Sequence, residues 1–335
     1  MKKIFSILVA VLLLCTLAVP VFADENAPTA YNAVGEGTSG NPWQISTLAQ
    51  LENLADAVNG GNNMEGKYIV LTADIDGFTK TIGYWEGEIP VKKPFKGHFD
   101  GKGHTVTLNI NATFAGLFGA IDSGAEICNV NTAGSVKGSG VAGGICSFAY
   151  AGTISNCSNS ATVTGSTSAG GICGWSFATI TNCYNSGEVG GGHNVGAICG
   201  IQADGSISNC YYDSTVYTGN AGGGIGLPTY LMQANPADTL TELLNSYIAN
   251  NPDTTAGACK WEATKDGYPR LVPATAKEDE NGLNTGSALS EGNMTIIIAI
   301  AAAVLFGLGG FFAGNAFSKK KKLAPAAATS SEDDE

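Results

Sequence analysis

Cys157, Cys183 and Cys210 repeat at intervals of 26 and 27 residues, and Cys146, Cys173 and Cys199 repeat at 27 and 26. Thiols so spaced are unlike the Cys-x-x-Cys of zinc knuckles and redox pairs. A location outside the cell would permit disulfides, but in-register parallel strands point such side chains the same way, which strains a bridge. Buried thiols packed as small hydrophobes are therefore expected, with one or more inter-turn disulfides as the alternative. Cys128 falls at an outward position and Cys259 beyond the repeat, and neither has an obvious partner in sequence.

Other chemistry is sparse. Polysaccharide cleavage needs paired carboxylates, or a base with calcium-binding acids. Between Cys128 and Asp213 the acids are Glu188, Asp204 and Asp213, and the base is Lys137. An active site would have to draw on Asp74, Asp76, Glu86, Glu88 or Asp100 upstream. Asp74 and Asp76 read as turn formers, and two acids fall short of the six to eight oxygens, roughly, that calcium takes. His98 and His104 flank Asp100-Gly101-Lys102-Gly103, a tight turn that needs no metal. His193 sits in a glycine-rich loop, and Gly190-Gly191-Gly192 lacks the strand-to-helix context of a phosphate loop. No catalytic residue, metal ligand or cofactor is assigned. Tyr150, Trp175, Phe177, Tyr184, Tyr211 and Tyr212 are the candidate ligand-binding residues, because aromatic faces stack on sugars and anchor protein partners. Packing over glycine-rich turns is the alternative.

A repeat positions these side chains. Ile154-Ser155-Asn156-Cys157, Ile180-Thr181-Asn182-Cys183 and Ile207-Ser208-Asn209-Cys210 align, with Ile127-Cys128-Asn129-Val130 as a fourth copy. A finer rhythm of nine runs through Ile127, Val136, Ile145, Ile154, Val163 and Ile172. After one step of eight to Ile180 it resumes through Val189, Ile198, Ile207, Val216 and Ile225. Three β-branched anchors per turn of about 27 residues predict an all-β parallel β-helix with three sides, each anchor pointing inward onto its equivalent one turn away. Asn129, Asn156, Asn182 and Asn209 recur at one corner and are expected to form an amide ladder. A helix is excluded by the period and by glycine pairs such as Gly143-Gly144. Residues 44–59 predict a capping helix started by Ser46 or Thr47, with Leu48, Leu51, Leu54, Ala55 and Val58 on one face and Tyr68 to Leu71 as the first strand. Residues 239–248 predict a second, with Trp261 and Tyr268 to Val272 closing the last turn.

Gly116-Leu117-Phe118-Gly119, Gly171-Ile172-Cys173-Gly174 and Ala197-Ile198-Cys199-Gly200 resemble the GLUG repeat of bacterial surface proteins, which also flanks the protease domain of immunoglobulin-A-cleaving metallopeptidases. Gly144-Ile145-Cys146-Ser147 departs from it in its last residue. Asn41 to Thr47, Leu71 to Asp76, Phe99 to His104 and Asp266 to Pro269 are similar to the flanking motifs of that family. The resemblance covers about residues 35–273. It implies a right-handed, pectin-lyase-like β-helix on an adhesin-like surface protein, and it implies no enzyme. No His-Glu-x-x-His occurs.

The ends indicate the compartment. Lys2 and Lys3, an apolar run and Val21-Phe22-Ala23 read as a signal peptide over residues 1–23. Residues 294–317 carry no charge and precede Lys319 to Lys322. They are expected to be one transmembrane helix with its C-terminal side in the cytoplasm, and Gly310 and Gly314 allow weak self-association. Between the ends, residues 24–98 read as N-terminal cap and first strands, 99–226 as the β-helix, 227–275 as a C-terminal cap and 276–293 as linker, with 318–335 a cytoplasmic tail. At 44% hydrophobic and 14% charged the 335-residue chain is no disordered protein. Its net charge of −12 argues against nucleic acid. The expected function is a non-catalytic, membrane-anchored surface protein that binds an extracellular glycan or a protein of a host or neighbouring cell, by shallow multivalent contact along repeated turns. A carbohydrate-active enzyme and a self-associating coat component are the alternatives.

Overall fold

The computed structural model describes residues 34–86, 91–233, 239–252, 257–264 and 267–272. The expected signal peptide and transmembrane segment lie outside them. Among the described residues no helix is long and apolar enough to cross a membrane.

The chain coils into a parallel β-solenoid with three sides. Sheet 1 stacks seven parallel strands, Trp43–Ile45, Tyr68–Leu71, His98–Asp100, Glu126–Cys128, Thr153–Ser155, Thr179–Thr181 and Ser206–Ser208. Its register places Ile69, Phe99, Ile127, Ile154, Ile180 and Ile207 in one column. Sheet 2 is built on the long strands Thr105–Ala115 and Asn131–Gly143, against which the shorter strands of later turns pair. Sheet 3 carries Phe118–Ile121, Cys146–Ala149, Cys173–Ser176 and Cys199–Gln202. The 26- and 27-residue spacings are thus the length of one turn. The anchors of Ile127 through Ile198 are buried in one continuous core.

The rhythm of nine misleads in its last steps. Val216 and Ile225 are 40% and 53% exposed. Ile225 pairs with Tyr211, 14 positions earlier, where a full turn would need about twice that. After Asp213 the chain returns to the same direction through a shortened loop and pairs parallel, so the period continues in sequence after the full-length turns have ended. The first strand is likewise Trp43–Ile45 and not Tyr68–Leu71, which pairs beside it.

The corner between sheets 1 and 2 explains its asparagines. Asn129, Asn156, Asn182 and Asn209 have φ of 53, 53, 53 and 49°, a left-handed conformation that asparagine tolerates far better than branched residues do. Their amides form the expected ladder. Asn156 donates to Asn129 (2.6 Å), Asn182 to Asn156 (2.9 Å) and Asn209 to Asn182 (2.6 Å). Asn129 donates to the Asp100 carboxylate at one end, and the Tyr211 hydroxyl donates to Asn209 at the other. A second, shorter ladder runs inside sheet 2, where Thr132 donates to Asn159 and Asn159 to Asn185. A Cβ on Gly144 or Gly171 would collide with these buried amides.

Six of the cysteines also stack. Cys146, Cys173 and Cys199 continue the Phe118 column of sheet 3, while Cys157, Cys183 and Cys210 follow Val130. All six are buried free thiols. Burial pushes the Cys146 and Cys183 thiols well up, so they stay protonated and inert.

Helix α1, Leu48–Gly60, begins with a capping box between Thr47 and Gln50 and buries Leu51, Leu54, Ala55 and Val58 in the solenoid core. Helix α3, Leu240–Asn250, falls where the second helix is expected, and a short helix α2, Thr229–Gln233, precedes it. Leu240 and Leu244 of α3 join a separate cluster with Tyr184, Tyr211, Met232, Trp261 and Leu271, so α3 lies on the flank and does not plug the last turn. Residues 257–264 and 267–272 run back along the asparagine corner as a strap. Asn129 donates to the Gly257 carbonyl (3.3 Å) and accepts from the Cys259 amide (2.9 Å). Asn156 donates to the Cys259 carbonyl (2.9 Å) and accepts from the Trp261 indole (2.6 Å). The ladder leaves outer amide positions unfilled, and the strap fills them. Further along, Tyr184 donates to the Pro269 carbonyl and Tyr268 to Asp213, each at 2.6 Å, while Leu271 lies against Gly103.

Two outcomes follow. Asn182→Ala, which loses two ladder bonds and must adopt a left-handed φ without an amide, is expected to cost about 3 kcal/mol, and Asn182→Gly roughly 1 kcal/mol less; urea unfolding followed by circular dichroism reads both. Asp213 adds a pH window. Burial would raise its carboxyl, but Thr229, Tyr268 and two backbone amides hold it below its ordinary value. Its contribution is therefore complete above the ordinary carboxylate range and lost as pH falls through the lowered value. Tyr268, pushed up to about 12 by burial and by Asp213, loses its contribution as pH rises from its ordinary value through about 12. Hydrogen exchange of the strap should accelerate at both extremes, and Asp213→Asn should remove the acid limb.

Candidate functional site

The outer face of sheet 3 gathers the aromatic residues. Ala120, Phe148, Trp175 and Ile201 are in register on successive turns, and they lie on the face opposite their neighbours Ile121 and Ala149, which join the core. Cys146 and Cys173, two positions earlier, are also in the core, so the strands depart from strict alternation between the thiol and the ring. One step beyond each strand, Tyr150 and Phe177 occupy equivalent positions, since their amides bond to Ile121 and Ala149 of the preceding turn. Two adjacent turns thereby present a block of four rings. A fifth arrives from the antiparallel hairpin of Tyr84–Glu86 and Val91–Lys93. The Trp85 ring lies 4.6 Å from Phe148 and 5.9 Å from Tyr150. Phe148 lies 5.5 Å from Trp175 and 6.1 Å from Phe177. Tyr150 and Phe177 are 5.7 Å apart.

The rings are unequally available. Phe148 is buried beneath its neighbours, Trp85, Trp175 and Phe177 are half-buried, and Tyr150 is 45% exposed. The Trp175 indole nitrogen is shielded from solvent and has no hydrogen-bond acceptor among the described residues, a state that costs about 1 to 3 kcal/mol. The Lys93 ammonium lies over the Tyr84 ring at 5.4 Å and donates to the Asn59 carbonyl, anchoring the hairpin.

Of the six expected binding residues, the structure brings Tyr150, Trp175 and Phe177 together and separates the rest. Tyr184 and Tyr211 are each only 4% exposed, which corrects their reading as surface rings. The strap and α3 cover Tyr184, and Tyr211 terminates the asparagine ladder. Tyr212 is half-buried, packs on the core and meets Tyr217 edge-on at 6.4 Å. Phe148 and Trp85 are the residues that sequence reasoning missed. The outward register of Phe148 beside Trp175, one turn apart, is the signal that could have found it. Among the described residues the clustered rings of sheet 3 belong to two adjacent turns and the hairpin.

The upstream acids are engaged in the fold. Asp74 pairs with His104 at 3.0 Å and accepts from the Thr105 amide. Asp76 accepts from Thr107, and Asp100 holds Lys102 and Asn129. His98 pairs with Glu126 at 2.8 Å and stacks on Tyr68 at 4.0 Å. Glu88 lies outside the described residues. No group of three or more His, Cys, Asp or Glu among the described residues could hold a metal ion.

No known protein-family profile matches the chain. A stretch of 151 residues, 41% of the chain, is 32% identical to halomucin of Haloquadratum walsbyi and covers 2% of it. A stretch of 113 residues, 32% of the chain, is 31% identical to a protein of Evansella cellulosilytica provisionally assigned as a Gly-rich membrane protein, and covers 13% of it. The chain therefore spans a small part of the length of the curated relatives it matches. A solved chain from Bacteroides ovatus, provisionally assigned as an immunoglobulin A1 protease, is 21% identical with a TM-score of 0.43, over 71% of this chain and 94% of that one.

If Trp85 and Phe148 tie the hairpin to sheet 3, a double-mutant cycle of Trp85→Ala and Phe148→Ala should return a coupling of about 0.5 to 1.5 kcal/mol in urea unfolding.

Proposed function

We propose that this chain is a non-catalytic cell-surface protein of the GLUG-repeat kind, anchored through residues 294–317, whose right-handed β-helix binds a ligand on the aromatic face of sheet 3. The observation that carries the reading is the clustering of Trp85, Phe148, Tyr150, Trp175 and Phe177 on the outside of one sheet, with Tyr150 open to solvent. Flat rings at a surface stack on the apolar faces of sugars and serve equally as anchors for protein partners. The Trp175 indole N–H, which has no acceptor among the described residues, would pair with a ligand hydroxyl where binding uncovers it. A glycan is the favoured ligand class, with a protein of a neighbouring or host cell second. The relatives, one of them named as a membrane protein, support placement at the surface. The engagement of Asp74, Asp76 and Asp100 in structural bonds supports a binding role over cleavage.

Self-association as a surface coat is the second reading. It is favoured by the outer edge of Ser206–Ser208, where sheet 1 ends without a further described strand.

The test uses the full chain in detergent, presented to an array of neutral and charged polysaccharides and to intact cells. Trp175→Ala and Tyr150→Ala should each weaken binding about tenfold or more, while Tyr212→Phe should leave it unchanged. Binding indifferent to Trp175→Ala would remove sheet 3 as the site. Shortened polysaccharide chains would establish an enzyme instead, and concentration-dependent sedimentation without ligand would favour the coat.

A further inference from the structure

Eight cysteines lie in the described chain. Six are accounted for by the two thiol columns. The other two, Cys128 and Cys259, are 131 positions apart in sequence, and the fold brings both against the side-chain amide of Asn129. Cys128 ends the strand Glu126–Cys128 on the outside of sheet 1, immediately before the corner residue Asn129. The Asn129 amide nitrogen lies 3.5 Å from the Cys128 sulfur, and the Asn129 carbonyl oxygen accepts from the Cys259 backbone at 2.9 Å. The Cys259 carbonyl is held in turn by Asn156 at 2.9 Å. Cys259 is therefore held at its own N–H and C=O by two successive corner residues, with its thiol within electrostatic reach of Cys128.

The register removes other partners for Cys128 within sheet 1. Its neighbours on the turns before and after are Asp100 and Ser155. The objection to bridges within the columns, that in-register strands point both side chains alike, does not apply here. Cys259 belongs to a segment that faces the corner from outside.

We propose that Cys128 and Cys259 form a disulfide that fastens the strap to the asparagine corner. The structure does not join the two sulfurs. This inference is independent of the ligand reading and requires only a disulfide oxidant. A Cys128 thiolate attacks a small-molecule disulfide and expels one thiol. The Cys259 thiolate then attacks the mixed disulfide at the Cys128 sulfur and expels the second. Two protein thiols and one external disulfide thus become one protein disulfide and two external thiols, with two protons released on ionisation of the cysteines and returned to the leaving thiolates.

Burial, reinforced by Asp100 and Cys157, pushes the Cys128 thiol up, which makes it a poor nucleophile once covered. A link across about 131 residues also removes considerable freedom from the unfolded chain, in the loop-entropy account.

The test uses the full chain in detergent, reduced and then exchanged into a buffer poised with oxidised and reduced glutathione. Acid quenching, alkylation of remaining thiols and peptic digestion prevent reshuffling. The expected result is one linked species joining the Cys128 and Cys259 peptides, two hydrogens lighter than their sum, with the six column cysteines alkylated. Cys128→Ser and Cys259→Ser should each abolish it. A proteolytic cut within residues 227–256 should leave the fragments joined until reductant is added. Complete alkylation of both cysteines in the oxidised, folded protein would overturn the proposal, as would predominant bridges within the columns. The wild-type peptide map decides the matter even if a variant fails to fold.

Discussion

A corner that turns the same way on every circuit is the constraint on which this molecule depends. Parallel turns stack only if each bends at the same place and leaves no buried polar group unpaired. A left-handed asparagine satisfies both demands, because its backbone accepts the bend and its side chain offers one donor and one acceptor along the stacking direction. The four amides point the same way, each donating toward the preceding turn. Such a chain needs an acceptor at one end and a donor at the other. Asp100 and Tyr211 supply them, which gives both residues roles settled by hydrogen-bond direction.

With the corner settled, the remaining sides are free to differ. Sheet 1 is a column of branched aliphatics, sheet 2 hides a second amide ladder over glycines, and sheet 3 packs thiols inside while showing aromatic rings outside. The thiols suit their place because a buried column with little room between turns favours small side chains without a strong hydrogen-bonding demand. The rings of Phe148 and Trp175 suit theirs because the turn spacing brings neighbouring rings into contact.

Much of the architecture was legible in the residues. The three-sided coil, its turn length, the asparagine ladder and the N-terminal helix follow from Ile-x-Asn-Cys spacing and from the Thr47 capping box, since these are local or strictly periodic signals. What was not legible depends on contacts between distant segments. Nothing near Tyr184 reveals that Pro269 will cover it, and Trp85 reaches sheet 3 from a hairpin more than sixty positions before Phe148. Val216 and Ile225 show the opposite failure, for the period persists in sequence where the last circuit has already shortened to 14 residues. The site was half legible for the same reason. Trp175, Tyr150 and Phe177 follow the repeat, whereas Tyr211 is buried in a cluster with later residues such as Met232 and Leu240.

The strap changes how such an object can come apart. A bare solenoid holds each turn only through its neighbours, so it can fray one turn at a time from either end. Here one segment touches the turns containing Gly103, Asn129, Asn156, Tyr184 and Asp213. A turn cannot peel away without disturbing bonds that also hold the others. The tie makes the turns from Gly103 to Asp213 behave as one cooperative unit, resisting both unzipping under pulling force and stepwise digestion within that span.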